Sequence, residues 1–572
     1  MIEDIYEPLS RYRDEFKDKF AENTRAKFQE LLTQSEVDLE ANRALNEKIT
    51  DNRAELSEYQ NKNSSASCFL TILIIITIAG IIALLAGAFG ELAEDLKLKC
   101  ILGGLISVAS SLIIIFAVIV PKQNFLKQKI AELTVIISHQ VEEAWRQMEP
   151  LNKLFDWHIT ANLIRQTVPR LEFDPYFTEC RLLDLYHSFD WDDSFNNDKS
   201  VIASHSGVIN DNPFVFGNLR TMEWGTETYK GTKVIHWTSR VRGSDGKMRT
   251  VHHTQTLVAT YNAPKPFYRD VKLLLYGNDA APNLRFSRNP SELSGLEDGF
   301  FNSLKKKSEL KKLKKLSRNL DDDLPYTLMS NHDFEILFHA TDRNDAVAFR
   351  LLFTPLAQQQ MVRLLNDKEI GFGDDFSFHK LGKINAIFSD HLNNTNFNTD
   401  PQQFKFYNVD EASDFFQRFN EDFFRSSYFA LAPLLSIPLY QQTRTTASIY
   451  NRQTHFKSCF WEHEAIANFY GDNYFKHPDC ITKNILKTTC THLDDGSSEI
   501  QVTAYGYRGV NRIANVKVWG NDGRIHNVQV PWIEYLPVSK TSKFYCTEKT
   551  ASTEIPNAKN LITRRSILAY FK

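Results

Sequence analysis

The side chains able to bind a metal or move a proton gather late in the chain. Trp461-Glu462-His463-Glu464-Ala465-Ile466-Ala467 begins like a zinc-protease helix, in which two histidines one turn apart hold the metal and a glutamate between them is the base. The second histidine would stand at position 467, which is Ala467, so half of the ligand pair is missing and the site is rejected. His477 and Cys480, then Cys490 and His492, give pairs of zinc-ligand type. Their spacing matches no common finger, so they read as two thiols and two surface histidines, with no metal. His252 and His253 are adjacent in a strand-like stretch and point to opposite faces, one at the surface and one packed. A P-loop, a Rossmann glycine pattern and a nucleophile elbow are all missing, and Gly371-Phe372-Gly373 alone is a turn. The catalytic residues are therefore unknown, and no cofactor is expected.

The elements that must position any chemistry are many, since 572 residues suggest about three or four structural units. Lys plus Arg (67) nearly balance Asp plus Glu (70), and a net charge of -3 disfavours a globally basic nucleic-acid binder. With 41 Phe, 21 Tyr and 8 Trp the chain can build real cores, which excludes a mainly disordered protein. Seven Cys in this length do not make a disulfide framework.

Two uncharged runs stand out, Ala66–Gly90 and Cys100–Val120, of 25 and 21 residues. Each exceeds the ~18 residues a spanning helix needs. A polar stretch of 65 residues precedes the first run, which argues against a cleaved signal peptide. The nine-residue link Glu91–Lys99 makes the two spans an antiparallel hairpin with both large flanks on one side. Ala79, Ala83 and Gly87 recur every four residues in the first span, and Gly103, Ser107 and Ser111 do so in the second. Such small residues let helices approach closely in lipid, although they are also simply common in apolar helices. Arg53 and Lys62 before the hairpin, and Lys122, Lys127 and Lys129 after it, outweigh Lys97 and Lys99 in the link, which puts both termini in the cytosol. A reducing compartment suits unpaired Cys180, Cys459, Cys480, Cys490 and Cys546.

Outside the hairpin, residues 5–32 carry Ile5, Leu9, Tyr12, Phe16, Phe20, Phe28, Leu31 and Leu32 near helical spacing. A second helix, Glu36–Tyr59, is expected after a Ser35 cap, and Leu126–Leu154 continues the second span as a helical stalk on which the N-terminal helices pack. Lys233–Arg242 and Thr250–Tyr261, on either side of Gly243-Ser244-Asp245-Gly246, read as an antiparallel hairpin. Residues 302–320 hold Lys305, Lys306, Lys307, Lys311, Lys312, Lys314, Lys315 and Arg318 against one Glu, with Leu304, Leu310, Leu313, Leu316 and Leu320 near one side. This basic helix either lies on anionic headgroups or sets its Leu stripe on a domain core beneath a solvated Lys face. Nucleic acid is not expected as a partner, because aromatic residues for base stacking are missing there.

Phe334–His339 reads as a strand, Thr354-Pro355 as a helix start, and Phe376–His379 with Ile384–Ser389 as a hairpin around Gly382. A helix rich in Phe (Phe415, Phe416, Phe419, Phe423) follows, and Tyr428–Tyr440, interrupted by Pro433 and Pro438, is too short to span and serves either as core or at the membrane surface. Ile500–Tyr507, Arg512–Trp519 and Ile525–Leu536 read as three strands with a turn at Asn521-Asp522-Gly523, giving a small β-barrel or sheet of SH3-like kind. Its Tyr505, Tyr507, Trp519, Trp532 and Tyr535 serve either as core or as a peptide-binding face.

Asn331–Pro355 (NHDFEILFHATDRNDAVAFRLLFTP) orders a Phe-Glu-x-x-Phe segment, an Asp-containing turn, an Ala/Leu-rich segment and Thr-Pro opening a helix. This resembles the bacterial membrane proteins grouped as domain of unknown function 3137, which share the layout of two early spans, a β-rich stretch with a charged insertion and then this segment. The resemblance covers roughly residues 120–440, implies a bacterial inner-membrane protein and supplies no catalytic residues.

The expected fold is an α+β multidomain membrane protein. Its parts are an amphipathic helical segment (1–65), a transmembrane hairpin (66–120), a helical stalk (121–169), an antiparallel β-rich domain (170–300), a basic helix with an α+β domain (301–440), and a small C-terminal β domain (441–572). The expected function is a non-enzymatic scaffold or sensor whose cytosolic domains bind protein or anionic lipid, with self-association as a further use of its helical stripes. An enzyme acting at the membrane surface through a non-motif active site is the alternative.

Overall fold

In the computed structural model, which describes residues 5–89, 94–242, 247–296, 299–318, 326–444, 457–548 and 558–572, the chain opens on helix α1 (Pro8–Arg11). A π turn (Tyr12–Phe16) carries it into α2 (Lys17–Ser35). Ser35 closes this helix, its Oγ donating to the Leu32 carbonyl, and Glu36 takes a positive φ of 53° that breaks the helix. The expected Ser35 cap is thereby corrected. Asp38 starts α3 (Leu39–Phe89), its carboxylate accepting from the Ala41 N–H at 3.0 Å. α3 runs unbroken from a polar half into the apolar run. A second rod returns as α4 (Glu94–Ile114), a π turn (Ile115–Ile119) and α5 (Val120–Asn152). Within the expected nine-residue link, Glu94–Lys99 is already helical, and 91–93 lie outside the described residues.

The chain divides into two compact units. One comprises Arg25–Asp156 and Pro401–Arg418. In it, side-chain hydrogen bonds run down the whole antiparallel helix pair. They join Thr77 to Ser111 (2.8 Å), Ser67 to Gln123 (3.0 Å), Asn52 to Gln140 (2.9 Å) and Asn42 to Gln147 (3.3 Å). The stalk expectation is met in part: the polar half of α3 packs along α5, whereas Tyr12 and Phe20 of the first helical stretch pack on Phe424. The segment 401–407 joins the pair, the Asn42 amide donating to the Tyr407 carbonyl at 3.0 Å and Phe155 packing on Phe404.

The other unit comprises Met1–Thr24, Trp157–Asp400 and Phe419–Lys572. Besides α1 and the first part of α2 it holds α6 (Ile159–Thr167), β1 (Leu171–Phe173) and α7 (Glu179–Phe189). β2 (Ser200–Ile209), β3 (Asn212–Arg242), β4 (Met248–Gly277) and β5 (Arg285–Arg288) follow, then α8 (Phe300–Leu316), α9 (His332–Phe338), α10 (Ala346–Leu352) and α11 (Pro355–Asn366). β6 (Phe376–Leu381) and β7 (Ile384–Ser389) lead to α12 (Asp390–Asn394), then α13 (Val409–Leu435), of which 409–418 belong to the first unit, and α14 (Pro438–Gln442). The chain ends with α15 (Phe460–Tyr470), α16 (Asp472–Phe475), β8 (Ile485–His492), β9 (Ser498–Trp519), β10 (Ile525–Thr547), β11 (Lys559–Arg564) and β12 (Ile567–Phe571). Two antiparallel sheets result, a seven-stranded one ordered β1-β2-β3-β4-β7-β6-β5 and a five-stranded one ordered β11-β12-β10-β9-β8. The first draws strands from both the 170–300 and the 301–440 stretches, because β4 pairs with β7.

Several expectations hold. Thr354 caps α11 with Pro355 in its first turn, and β6 and β7 form the hairpin around Gly382, whose φ is +69°. β3 and β4 pair with Arg242 opposite Met248, although the turn 243–246 lies outside the described residues. His253 stacks on Trp237 while His252 is exposed, as alternation requires. Tyr428–Tyr440 is core, buried almost throughout.

Two expectations are corrected. Phe334–His339 is not a strand but lies in α9, started by the Asn331 side chain accepting from the Phe334 N–H. Its five consecutive buried residues, Phe334–Phe338, have the continuous texture of a buried strand. Ile500–Tyr507 and Arg512–Trp519 are one 22-residue strand, because alternation persists through Gly506 and Gly509 and every residue pairs with β10. The C-terminal part is thus an open sheet with two long strands, not an SH3-like barrel. Those strands pack on the β3–β4 ribbon through Ile235, Leu257, Ala259, Val528 and Val530. The expected aromatics divide: Tyr507 packs on Trp224 and Trp532 on Tyr261, Tyr535 is half-buried, and Tyr505 and Trp519 are exposed.

Candidate functional site

α3 and α4 each carry a run long and apolar enough to cross a membrane. Their large side chains face outward: Ile75 is 60% exposed, Ile82 61%, Ile106 66% and Phe116, in the π turn that follows α4, 69%. The two helices touch through small residues instead. A Cβ on Gly104 would lie 2.8 Å from the Gly80 carbonyl oxygen, and one on Gly87 would lie 2.8 Å from Ile101. Of the residues expected to pack, Gly87 and Ser111 are buried, while Ala83 and Ser107 are half-buried. Ala79 and Gly103 are exposed and are corrected to their neighbours Gly80 and Gly104. A four-residue repeat drifts around a 3.6-residue helix, so spacing alone leaves such a stripe uncertain by one position.

α8 carries the basic cluster. Leu313 is buried (2% exposed) and Leu310 and Leu316 are half-buried, whereas Leu304 is exposed. Leu320 lies outside the described residues. The Leu stripe therefore reaches the core only at the C-terminal half of the helix. Lys305, Lys307, Lys311, Lys312, Lys314, Lys315 and Arg318 are exposed, and Lys306 is half-buried. Lys312 pairs with Glu309 at 2.7 Å. Lys306 and Lys307 line a groove of about 620 Å³ shared with Asn331, His332 and Asp333 of the α9 end.

The rejected protease-like segment forms α15, which sits between the two sheets. Trp461 and Ala465 pack with Phe189, Val215 and Leu273, while Ile466 and Ala467 pack with Leu486, Ile500 and Phe544. Wedged this way, its polar residues are wholly buried and each needs a partner. Glu462 accepts from the Phe177 N–H (3.1 Å), Ser204 Oγ (3.2 Å), Arg565 (3.2 Å) and Arg564. Burial opposes its charge, but the two guanidiniums win and hold its carboxyl below the usual range. Arg565 sits at the β11–β12 turn with φ 47°, donating also to the Ser204 carbonyl and, at 2.8 Å, to His205. Glu464 pairs with Lys487 at 2.7 Å.

His463 meets Ser458 Oγ through Nε2 at 3.0 Å, and Glu548 accepts from that hydroxyl at 2.8 Å. Burial pushes the His463 pKa down to about 4. This is not a nucleophilic triad, because the carboxylate holds the serine rather than the far side of the imidazole. His463 Nδ1 has no hydrogen-bond partner among the described residues.

Beside α15 a groove of about 500 Å³ is lined by Tyr186, Trp191, Asn196, Phe460, Glu464 and Lys487 among others. Both amide atoms of the buried Asn196 lack a partner among the described residues.

The four residues of zinc-ligand type, read from the sequence as no metal site, fall into two separate places. Cys480 turns to Thr482 and Asn484 before β8, and His477 turns to Asp479, whereas Cys490 and His492 lie at the far end of β8. The polar partners of α15 come from β2, β8, the β11–β12 turn and the segments around Phe177, Ser458 and Glu548, and no sequence spacing signals them. No family model matches the chain, and neither a curated protein nor a solved structure resembles it significantly.

Proposed function

We propose that the chain is a membrane-anchored scaffold or sensor of the bacterial inner membrane, whose cytosolic domains bind a protein partner or anionic lipid. The observation that carries the reading is the α3–α4 pair, which turns its large apolar side chains outward and closes on Gly80 and Gly104. In water such a surface would drive association, whereas in a hydrocarbon core small-residue packing is what joins helices. The hairpin returns the chain to its starting side, and the basic residues at 53, 62, 122, 127 and 129 favour the cytosol for both ends. The likeness of 331–355 to domain of unknown function 3137 supports the bacterial inner membrane.

The exposed lysines of α8 support lipid contact, at about 1 kcal/mol for each basic residue near an anionic surface. An enzyme at the membrane surface is the second reading. It draws on the groove beside α15, where the unpartnered Asn196 amide suits a small polar ligand.

Alkaline extraction of membranes tests the anchor. The full chain is expected to stay in the pellet and a chain lacking 66–120 to be released. Release of the full chain would overturn the anchor.

A further inference from the structure

The geometry points to a divalent-metal site of the zinc type formed by Glu179, Cys490 and His492. Cys490 and His492 are two residues apart on β8, so both side chains project from the same sheet face. Glu179 is the first residue of α7, placed there by the Thr178 cap and by the strand bridge from Thr178 to Ser458. One thiol, one imidazole nitrogen and one carboxylate oxygen thereby come within 4.8 Å of one another. The Cys490 Sγ lies 3.7 Å from His492 Nδ1, and it is the other ring nitrogen, Nε2, that lies 3.2 Å from Glu179 Oε1. Tetrahedral zinc, with bonds of about 2.0–2.3 Å, sets its ligand atoms roughly 3.3–3.8 Å apart, so with a single ring nitrogen as ligand, atoms up to 4.8 Å apart must draw in by about 1 Å, within the reach of side-chain rotation.

The surroundings fit as well. Ser498 stands opposite His492 across the β8–β9 ladder, and its Oγ lies 2.9 Å from Nδ1. That contact orients the ring with Nε2 towards Glu179, as outer-shell partners of metal-bound histidines do. The Cys490 thiol is hydrogen-bonded to Ser498 and feels the carboxylates of Glu179 and Glu548 against Lys457. A sulfur, nitrogen and oxygen set suits zinc or cobalt rather than magnesium or calcium, and three protein ligands leave one position for water. Binding would release the Cys490 thiol proton to solvent, forming a metal–thiolate bond. The inference is independent of the membrane reading.

Tag-free full-length protein would be titrated with Co2+ alone and then with Zn2+. One Co2+ per chain is expected, with a thiolate-to-cobalt charge-transfer band that Zn2+ bleaches. Cys490→Ser should abolish the band, and His492→Ala and Glu179→Gln should each weaken Co2+ binding by about tenfold or more. A wild-type protein without the band at saturating Co2+ would overturn the site, whatever the variants do. A band that survives Cys490→Ser would do the same, since another thiol would then be the ligand.

Discussion

Gly80 and Gly104 face each other across the α3–α4 pair so closely that a Cβ on Gly104 would lie 2.8 Å from the Gly80 carbonyl oxygen. Gly104→Leu should therefore force the two helices apart. Thr77 and Ser111, whose hydroxyls lie 2.8 Å apart, give the gauge. Cysteines placed at both positions are expected to cross-link within one chain, read by mass spectrometry of the joined peptides. The yield should fall several-fold when Gly104→Leu is added, and an unchanged yield would mean that the close approach does not organise the hairpin.

The lysines of α8 make a prediction about lipid. In the full chain held in nanodiscs, amide exchange of residues 300–316 should be slower in anionic than in neutral lipid, with the difference fading as salt rises. Changing Lys311, Lys312, Lys314 and Lys315 to Gln should remove the difference. Equal exchange in both lipids returns the helix to a solvated face over the buried Leu313.

Glu462 is the shared acceptor for two buried arginines, Arg564 and Arg565. Glu462→Gln leaves both cations without their counter-charge in the core, a change that costs about 3–5 kcal/mol. Thermal unfolding should show a large drop, with the β11–β12 turn the first place to lose exchange protection. A shift equal to that of a surface Glu→Gln control would show that the pair does not hold α15 to the turn.

How much of this was legible in the sequence differs by element. The apolar runs, the 354–366 helix and the 376–389 hairpin announce themselves through periodicity, caps and turn residues, because those signals act over a few positions. α9 looks like a strand in sequence because the unbroken burial of Phe334–Phe338 erases periodicity. β9 was split because Gly506 and Gly509 look like punctuation, although the long ladder with β10 absorbs them. The environment of Glu462 was invisible, since its partners Phe177, Ser204, Arg564 and Arg565 are brought together only by the tertiary fold.

Lys380 on β6 is buried, its Nζ donating to the Gly382 carbonyl at 2.6 Å, and burial pushes its pKa down to about 7. Between that value and the ordinary lysine range the unfolded chain holds a proton that the folded chain lacks, so stability rises with pH across this window. Lys380→Met removes the slope. Its stability advantage over the parent should be greatest near pH 7, on the order of a few kcal/mol, and should shrink towards pH 10. Parallel melting temperatures for the two proteins across that range would contradict this.

A membrane hairpin that leaves both large flanks in the cytosol is the central claim about this protein. Topology reporters fused at residues 62 and 572 of the chain, expressed in bacterial cells, measure this directly. Cytosolic signals from both fusions are the predicted result, and a periplasmic signal from either one would contradict the account.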